Sequence, residues 1–383
     1  PEIINWNKEK LEKFLAEAND QRLTVIWNYL KRRNASQRRI QKTCELTDFH
    51  PFFIERIADL VKIENQLEKV KGRLTKELLV KAKNNGFSDL HISNLTDRKE
   101  ETIRNQRKKM GITSSFLMVD TCAGEFEAKT PYFYSTYSDD KAEFDIGMSI
   151  VILGSGPIRI GQGIEFDYST VHGVQAVREA GYEAVVVNNN PETVSTDFDA
   201  SDRLYFEPLD GEAIFEILDV EKPYGIILQL GGQTAVNLAS EIEKYIKDEK
   251  LKTKILGTKV RDMDAAENRE QCGELMKKAG IRMPDWAVAK NSDEVVIRAE
   301  EIGYPVLIRP SFVLGGRGME IVHNEKQLAK YLKLETHATP EKPVLVDKFL
   351  EGAVEFDVDL ISDGENVVIG AVMEQIENQV YVM

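Results

Sequence analysis

A regular alternation of apolar strands and helical segments, from Gly147 to about Leu256, constrains the fold more than any other feature of this chain. Alternation at this spacing predicts a parallel sheet with helices on both faces. Ligands of such sheets bind beyond the carboxyl ends of the strands. The predicted strands are Ser149–Leu153, Ala184–Val187, Leu204–Phe206, Gly225–Leu228 and Lys254–Leu256. The loops expected at the ligand-binding edge are Gly154–Gly161, Asn188–Asn190 and Gly231–Thr234.

The glycine-rich loop after the first predicted strand, GSGPIRIGQG, is close to two nucleotide-binding motifs but matches neither. A dinucleotide fingerprint requires glycine where the chain has Arg159, and an acid where it has Asn188, which argues against a nicotinamide enzyme. A phosphate-binding loop requires lysine where the chain has Gln162. Because glycine serves both anion binding and tight packing of a helix on a strand, both interpretations stay open.

A second glycine-rich segment, YPVLIRPSFVLGGRGMEIV, occupies Tyr304–Val322. Its apolar ends predict two strands joined by a flexible turn, which is a hairpin with a glycine tip. Such a tip lets backbone N–H groups approach phosphate oxygens, and Arg309 and Arg317 add matching charge. A glycine hairpin is often a plain turn, so these residues alone leave nucleotide binding as one of two interpretations.

The residues before about 146 show a helical pattern and no catalytic motif. Apolar residues recur every three or four positions after Pro51, which predicts a helix to about Val70. Two further helices are predicted over Thr75–Asn84 and Thr96–Met110, each followed by glycine. We expect the basic run near the end of the last helix to be a solvated face. This run consists of Arg104, Arg107, Lys108 and Lys109.

Composition narrows the classes of function open to this chain of 383 residues, which is long enough for two or three domains. A formal net charge of −14 argues against nucleic acid or an anionic membrane as the main partner. No apolar run is long enough to cross a bilayer, and no signal peptide opens the chain. Cys44, Cys122 and Cys272 are few and far apart, which indicates a reducing, cytoplasmic setting without disulfides or a zinc site.

Several long blocks of sequence, among them VDTCAGEFEAKTPYFYSTYS and NNNPETVSTDFDASDRLYFEPL, follow one another along most of the chain. The blocks are Val119–Ser138, Gly154–Glu183, Asn188–Leu209, Leu228–Ala239, Leu256–Glu270, Tyr304–Val322 and Val346–Gly364. In this order they resemble the large subunit of the carbamoyl-phosphate synthetase family. The resemblance runs from the family's oligomerisation domain into the opening part of its second synthetase half.

The resemblance implies a multidomain fold. An all-α oligomerisation domain with a linker would occupy residues 1–145, an α/β parallel-sheet pre-ATP-grasp domain 146–258, and a partial α+β ATP-grasp domain 259–383. In this family the second half phosphorylates carbamate with ATP, giving carbamoyl phosphate for arginine and pyrimidine biosynthesis. The implied cofactors are ATP, Mg²⁺ or Mn²⁺, and a monovalent cation such as K⁺. The implied partners are a glutaminase small subunit and further copies of the chain.

The resemblance also implies residues that hold the phosphates of ATP. Arg269 and Arg309 resemble arginines that contact these phosphates, and Gly315 and Gly316 match the glycine loop over the triphosphate. Planar guanidinium groups suit phosphate oxygens. Arg309 could instead pair with a carboxylate, which would be a purely structural role.

The remaining ATP-binding residues implied by the resemblance lie further along the chain. Asp347, Lys348, Phe349 and Leu350 match the segment that lines the adenine, and Glu355 resembles the acid that meets the ribose. The family often has histidine where this chain has Lys348. Glu355 could instead lie on the polar face of an alternating strand. The sequence identifies no catalytic side chain and no metal ligand.

The end of the chain departs from the family pattern. After Ala371–Glu377 the family continues into a glycine- and serine-rich loop, whereas Asn378–Met383 resembles a later strand. We therefore expect a segment to be missing after about residue 377, together with the family's metal-binding carboxylates. Without those ligands the chain by itself is expected to be inactive.

Two other classes of function stay open alongside a carbamoyl-phosphate synthetase. A different ATP-grasp ligase, such as a biotin-carboxylase-like enzyme, would share the glycine hairpin but not the helical region that ends in Val119–Ser138. A non-catalytic oligomerisation scaffold would self-associate without binding nucleotide.

Overall fold

The computed structural model describes residues 3–32, 34–70, 72–126, 130–138, 147–158, 164–310, 319–334 and 343–376. The chain divides into two compact units: the first takes in the chain up to Gly156 and Asp167–Leu256, and the second takes in Pro157–Phe166 and the chain from Gly257. The first contains a helical region followed by an α/β sheet, and the second contains a four-stranded antiparallel sheet and a separate hairpin. Among the described helices, none is both long and apolar enough to cross a membrane.

The helical region consists of short helices whose starts are fixed by side chains. Its helices are α1 (Lys8–Ala16), α2 (Arg22–Lys31), α3 (Gln37–Thr47), α4 (Pro51–Glu68), α5 (Lys76–Lys83), α6 (Asp89–Thr96) and α7 (Glu100–Lys109). Asn7, Thr75 and Ser88 each accept a backbone N–H three residues further on, which caps α1, α5 and α6. Pro51 opens α4, as predicted. The sequence analysis did not predict α1, α2, α3 or α6.

The long helix α4 joins two hydrophobic cores. Its first half contributes Ile54, Ala58 and Val61 to a core shared with α1, α2 and α3. Its second half contributes Ile63 and Leu67 to a core shared with α5, α6 and α7. The apolar residues whose spacing predicts this helix are therefore buried in two cores, one along each half of the helix.

The sheet of the first unit is mixed, with one antiparallel edge strand. Its strands are β1 (Ser115–Met118), β2 (Tyr132–Thr136), β3 (Ser149–Leu153), β4 (Glu183–Val187), β5 (Arg203–Tyr205), β6 (Gly225–Ile227) and β7 (Lys254–Leu256). They lie in the order β1-β2-β5-β4-β3-β6-β7. The strands from β3 onward are mutually parallel, as the alternation predicts. β2 joins β5 in parallel, and β1 pairs with β2 antiparallel, which the sequence analysis did not predict.

Helices cover both faces of this sheet. They are α8 (Glu165–Glu179), α9 (Gly211–Glu221), α10 (Gln233–Val236) and α11 (Ala239–Asp248). Every residue of the central strand β3 is buried, which is expected only when both faces are covered. Because β3 to β7 are parallel, their carboxyl ends lie together at one edge of the sheet.

The basic run on α7 is largely buried, so the predicted solvated face is wrong. Arg107 is 0% exposed, and its Nη2 lies 2.9 Å from both Asp89 Oδ2 and Glu216 Oε1. Lys108 Nζ lies 2.9 Å from Asp219 Oδ2. Because Glu216 and Asp219 belong to α9, these cations hold the helical region against the α/β sheet. Glu216 and Asp219 lie more than 100 residues away along the chain, beyond what local spacing can indicate.

The second unit contains the predicted glycine hairpin. Its strands β8 (Trp286–Ala289), β9 (Val306–Pro310), β10 (Glu320–Val322) and β11 (Val344–Lys348) form an antiparallel sheet in the order β10-β9-β11-β8. Glu320 lies opposite Ile308, which confirms the hairpin between β9 and β10, while its tip at 311–318 falls outside the described residues.

Helices and a separate hairpin complete the second unit. The helices are α12 (Val260–Glu267), α13 (Arg269–Lys278), α14 (Ser292–Ile302) and α15 (Glu325–Leu334). Val295 and Ala299 of α14 and Leu328 of α15 pack against the four-stranded sheet in one core. The strands β12 (Phe356–Ser362) and β13 (Val367–Glu374) pair only with each other among the described residues.

Candidate functional site

The strands β9 and β11 bring two of the predicted ATP-binding residues into contact. Leu345 lies opposite Arg309 in the register, so Asp347 is diagonal to Arg309 on the same face of the sheet. Arg309 Nε and Nη2 both donate to Asp347 Oδ2, at 2.9 and 2.6 Å. The side chains are only 16% and 13% exposed. Burial raises the pKa of Asp347, and the charge and hydrogen bonds of Arg309 offset this only in part.

The pairing with Asp347 leaves part of the Arg309 guanidinium available. Within the described residues, no acceptor contacts Nη1 of Arg309. The carboxylate pairing considered from the sequence is therefore present, and it does not occupy every donor of the arginine. Contact between Arg309 and a phosphate stays a prediction.

Lys348 is engaged with backbone carbonyls. Its Nζ donates to the carbonyl oxygens of Gly303 and Tyr304, at 2.8 and 2.9 Å. These carbonyls follow the last residue of α14, where a cation stabilises the negative end of the helix dipole. A contact between Lys348 and adenine would therefore have to come from its backbone or its aliphatic stem.

The other predicted ATP-binding residues are dispersed along the second unit. Leu350 follows β11 and is 47% exposed, and Glu355 precedes β12 and is half-buried. Arg269 is the first residue of α13, and its side chain lies outside the described residues, as do Gly315 and Gly316. The structure thus brings together Arg309 and Asp347, and it leaves the roles of the others as predictions.

A polar network lies at the carboxyl edge of the parallel sheet, where the sequence predicts ligands. Asn188 follows β4 and is fully buried, and its Oδ1 accepts the N–H of Gly156 at 3.0 Å. Its Nδ2 donates to Ser195 Oγ at 3.0 Å, and Ser195 N donates to Asp167 Oδ2 at 3.1 Å. A Cβ on Gly231 would lie 2.2 Å from the backbone that follows β3. The described parts of the three predicted loops therefore meet at this edge.

Three buried oxygen atoms in or beside these loops have no hydrogen-bond partner among the described residues: Asp167 Oδ1, Asn189 Oδ1 and Gln229 Oε1. Buried polar atoms are nearly always satisfied, so this edge suits water or a small polar ligand. The sequence analysis did not single out Asp167 or Gln229. The sequence signal that could have indicated these two residues was their position close to loops predicted at the ligand-binding edge.

The described residues do not form a metal centre. Nowhere among them do three His, Cys, Asp or Glu side chains lie close enough to hold one ion. We therefore assign no metal ligand.

Family models match successive parts of the chain. Residues 2–111 match the oligomerisation domain of the carbamoyl-phosphate synthetase large chain, and residues 147–265 match the carbamoyl phosphate synthase preATP-grasp domain. Residues 268–381 match the ATP binding domain of the carbamoyl-phosphate synthase L chain. The carbamoyl phosphate synthase large chain of Methanothrix thermoacetophila is 47% identical over 376 residues, which are 98% of this chain and 34% of that protein. The chain belongs to the carbamoyl phosphate synthase large-chain family.

A second relative gives the same family assignment. The carbamoyl phosphate synthase large chain of Methanosarcina acetivorans is 47% identical over 374 residues, which are 97% of this chain and 34% of that protein. The chain thus spans about a third of the length of these relatives. Membership of the carbamoyl phosphate synthase family confirms the resemblance found in the sequence blocks. It also decides against the biotin-carboxylase-like alternative, which was not expected to share the helical region that the oligomerisation-domain model matches.

Solved structures are less similar to this chain than these relatives are. The biotin carboxylase domain of Hydrogenobacter thermophilus 2-oxoglutarate carboxylase, with ADP, magnesium and bicarbonate, is 21% identical with a TM-score of 0.44. That match covers 59% of this chain and 50% of the other. An ADP complex of N5-carboxyaminoimidazole ribonucleotide synthetase is 17% identical with a TM-score of 0.45, over 61% and 55% of the two chains. Similarity at this level carries no argument about function.

Proposed function

We propose that the chain supplies the nucleotide-binding part of an enzyme that phosphorylates carbamate with ATP. A carbamate oxygen attacks the γ-phosphorus, the bond from this phosphorus to the β,γ-bridging oxygen breaks, and ADP leaves with the electron pair. The product, carbamoyl phosphate, would enter arginine and pyrimidine biosynthesis. The observation that carries the proposal is the nearly buried Arg309–Asp347 pair beside the glycine hairpin, within the part that matches an ATP binding domain.

In this proposal the phosphates of ATP are held by positive charge and backbone donors. Nη1 of Arg309 would donate to a phosphate oxygen, while Asp347 fixes the plane of the guanidinium. Arg269 would add a second cation, and Gly315 and Gly316 would let backbone N–H groups approach the triphosphate. Phosphoryl transfer depends on such positioning more than on covalent chemistry.

The nucleoside would lie further along the same strand. Asp347, Lys348 and Leu350 would line the adenine, with hydrogen bonds from the backbone at the end of β11. Glu355 would accept a hydrogen bond from a ribose hydroxyl. The metal ion that accompanies ATP, Mg²⁺ or Mn²⁺, would neutralise phosphate charge when bound, and K⁺ is a candidate monovalent cation.

The domain limits and partners also belong to this proposal. We propose an oligomerisation domain and linker over residues 1–145, a pre-ATP-grasp domain over 146–258 and a partial ATP-grasp domain over 259–383. Self-association through the helical region is supported by its match to an oligomerisation domain. A glutaminase small subunit would supply the nitrogen, and the setting would be cytoplasmic.

Calorimetric titration of the chain with MgATP tests the nucleotide site, with MgGTP as the comparison. We expect Arg309→Gln to weaken ATP binding about tenfold or more, because a charge-assisted hydrogen bond is lost. Arg298→Gln is the matched control, since Arg298 lies on α14, pairs with Glu301 at 2.6 Å and is 43% exposed. The double variant Arg309→Gln/Asp347→Asn removes both buried charges, so it separates lost phosphate contact from misfolding.

The outcomes of this titration distinguish the proposed ligase function from a non-catalytic oligomerisation scaffold. Equal ATP affinity in the wild type, Arg309→Gln and the double variant would remove Arg309 from the nucleotide site. A folded chain that assembles with concentration but binds no nucleotide would support the scaffold function instead. Preference for ATP over GTP with loss in both Arg309 variants would support the proposed ligase.

A further inference from the structure

A cavity lies within the first unit, between the end of α5, the start of α9 and the strands β1 and β2. Its volume is about 360 Å³, which is within the range of small-molecule binding sites. Part of its wall is apolar and includes Phe87 and Phe116, each 3% exposed. The rest is rich in carboxylates, and we refer to the space as the acidic cavity. Its acidic lining residues are Glu207, Asp210, Glu212 and Glu216.

Two of these carboxylates are already paired with cations. Glu212 pairs with Lys83, and Glu216 pairs with Arg107 at 2.9 Å. Both cations also contact Asp89, which lies 3.4 Å from Lys83 and 2.9 Å from Arg107. Three carboxylates therefore share two cations, and this group has no positive charge to spare for the remaining acids of the wall.

The other two carboxylates, Glu207 and Asp210, have no cation. Glu207 is 7% exposed and Asp210 is partly buried, and within the described residues neither forms an ion pair. Glu207 Oε1 accepts the backbone N–H of Ser135, and Asp210 Oδ1 accepts that of Ala213 at 2.9 Å. Burial raises the pKa of both carboxyl groups, and the charge of Asp210 raises that of Glu207 further. The wall thus holds two neighbouring carboxylates, one of them more than nine-tenths buried, without a counter-charge.

A buried carboxylate without a counter-charge either takes up a proton or binds a cation. A divalent metal ion needs several oxygen ligands, and nowhere among the described residues do three acidic side chains lie close enough to hold one. An ammonium group can instead be held by two carboxylates through charge-assisted hydrogen bonds. The apolar wall at Phe87 and Phe116 suits an aliphatic chain attached to it. A ligand with a carboxylate of its own would be repelled by the same acids.

We propose that the acidic cavity binds a small aliphatic primary amine without a carboxylate, with its ammonium group between Glu207 and Asp210. The ammonium group donates to both carboxylates and supplies the positive charge that the wall lacks. The aliphatic chain packs against Phe87 and Phe116. All residues that line the cavity belong to the first unit, so the amine site does not depend on the nucleotide site proposed around Arg309.

Saturation-transfer NMR of butylammonium chloride, titrated onto the chain from roughly 0.1 to 20 mM, tests the amine site. We expect saturable binding with a dissociation constant on the order of 1 mM, because the ligand has few atoms. Butan-1-ol has the same chain length without the charge, and it should bind about tenfold more weakly or worse. Potassium chloride at the same concentration should leave the butylammonium signal in place.

The variant Glu207→Gln/Asp210→Asn removes both charges and keeps the local backbone contacts. Its amide oxygens can still accept the N–H groups of Ser135 and Ala213, and asparagine caps a helix as aspartate does. We expect butylammonium to bind about tenfold more weakly or worse. Glu243→Gln/Asp248→Asn is the matched control, since it removes two exposed carboxylates of α11 and the same net charge. This control should bind as the wild type does.

The pH dependence of the wild type gives a readout that needs no variant. Butylammonium stays charged up to about pH 10, whereas Glu207 and Asp210, with raised pKa values, must lose their protons to bind it. We therefore expect binding to tighten severalfold as pH rises from about 5 to 7.5. Exposed carboxylates are ionised throughout this range, so binding to the surface would not change.

Four results would overturn the proposal. Butan-1-ol could bind as tightly as butylammonium, which would make the cavity a purely apolar site. Potassium chloride could displace the amine, which would make it a site for inorganic cations. The double variant could bind as the wild type does, or binding could stay constant with pH, and either result would place the amine elsewhere. None of these results bears on the ATP titration, which reports separately on the ligase function.

Discussion

At the residue scale, the buried carboxylate of Glu207 links strand β2, which the sequence analysis did not predict, to the end of the predicted strand β5. It follows β5, is 7% exposed and accepts the backbone N–H of Ser135 on β2. Within the described residues no cation pairs with it. Burial raises the pKa of Glu207, and the hydrogen bonds from Ser135 offset this only in part.

The raised pKa of Glu207 predicts a pH-dependent effect of Glu207→Gln. A carboxyl group whose pKa is raised by folding stabilises the protein below its unfolded pKa, and this contribution is lost as pH rises through the folded pKa. Glutamine does not ionise and avoids the loss. We therefore expect the variant to gain unfolding free energy relative to the wild type as pH rises from about 4 to 7.5. Urea unfolding at both pH values measures this, and a pH-independent difference would contradict it.

Gly231 predicts a steric effect at the carboxyl edge of the sheet. A Cβ at this position would lie 2.2 Å from the carbonyl oxygen of Gly154, so the two loops must separate. We expect Gly231→Ala to lower the unfolding free energy by about 1–3 kcal/mol, as overpacking does. Gly72→Ala is the control, because a Cβ on Gly72 would meet no atom within 4 Å. Equal urea midpoints for the two variants would show that the edge adjusts without cost.

At the element scale, α7 is held by charge as well as by apolar packing. Ile103 packs in the second helical core, whereas Arg107 is buried against Asp89 and Glu216. Burial lowers the pKa of Arg107, but hydrogen bonds and charge from Asp89 and Glu216 raise it by more, so the guanidinium stays ionised. Arg107 Nη1 also donates to the carbonyl of Ile112 at 3.0 Å, which fixes the chain beyond the helix.

Removing Arg107 should therefore be costly. Arg107→Met removes the cation that Asp89 and Glu216 share, so that Glu216 loses its ion pair and Asp89 retains only Lys83 among the described cations, at 3.4 Å. We expect a loss of about 3–5 kcal/mol of unfolding free energy. Lys109→Met on the exposed side of the same helix is the control, with an expected change within about 0.5 kcal/mol. Adding Glu216→Gln to Arg107→Met should recover part of the loss in denaturant titrations. An Arg107→Met variant as stable as its control would mean that the carboxylates find other partners.

At the scale of the whole molecule, buried charges make the helical region and the α/β sheet one compact unit. Lys83 of α5 pairs with Glu212 of α9, and Tyr137 donates to Glu212 at 3.0 Å. Lys108 of α7 pairs with Asp219 of α9. Because these pairs join α5 and α7 to α9, separating the helical region from the sheet would break all of them at once, and we expect the two parts to unfold together.

Hydrogen exchange measured by mass spectrometry tests this cooperativity. In the wild type, amides of α7 and α9 should exchange with one common opening free energy. In Arg107→Met, protection of α7 should fall more than that of β3, because the contact that couples the helix to the sheet is lost. Lys109→Met should retain the common value. Different opening energies for α7 and α9 in the wild type would mean that the charges hold the parts together without coupling their unfolding.

The sequence by itself determined the elements whose signals are local. The strands β3 and β7 match their predicted limits, the glycine hairpin is present, and the helix after Pro51 lies where its apolar spacing places it. The sequence blocks were also sufficient for the family. The spacing of apolar residues and the positions of proline and glycine favour a helix, strand or turn within a few residues. These local signals can therefore be recognised in the sequence without knowledge of the fold.

Only the tertiary structure decided which distant side chains meet. It buried Arg107 among acids of another element, paired Arg309 with Asp347 and added β1 and β2 to the sheet. It also gathered Asp167 with the loops at the carboxyl edge. The physical reason is common to all of these cases. Ion pairs, strand pairing and desolvation depend on distances between residues far apart in the chain, and no local pattern encodes those distances.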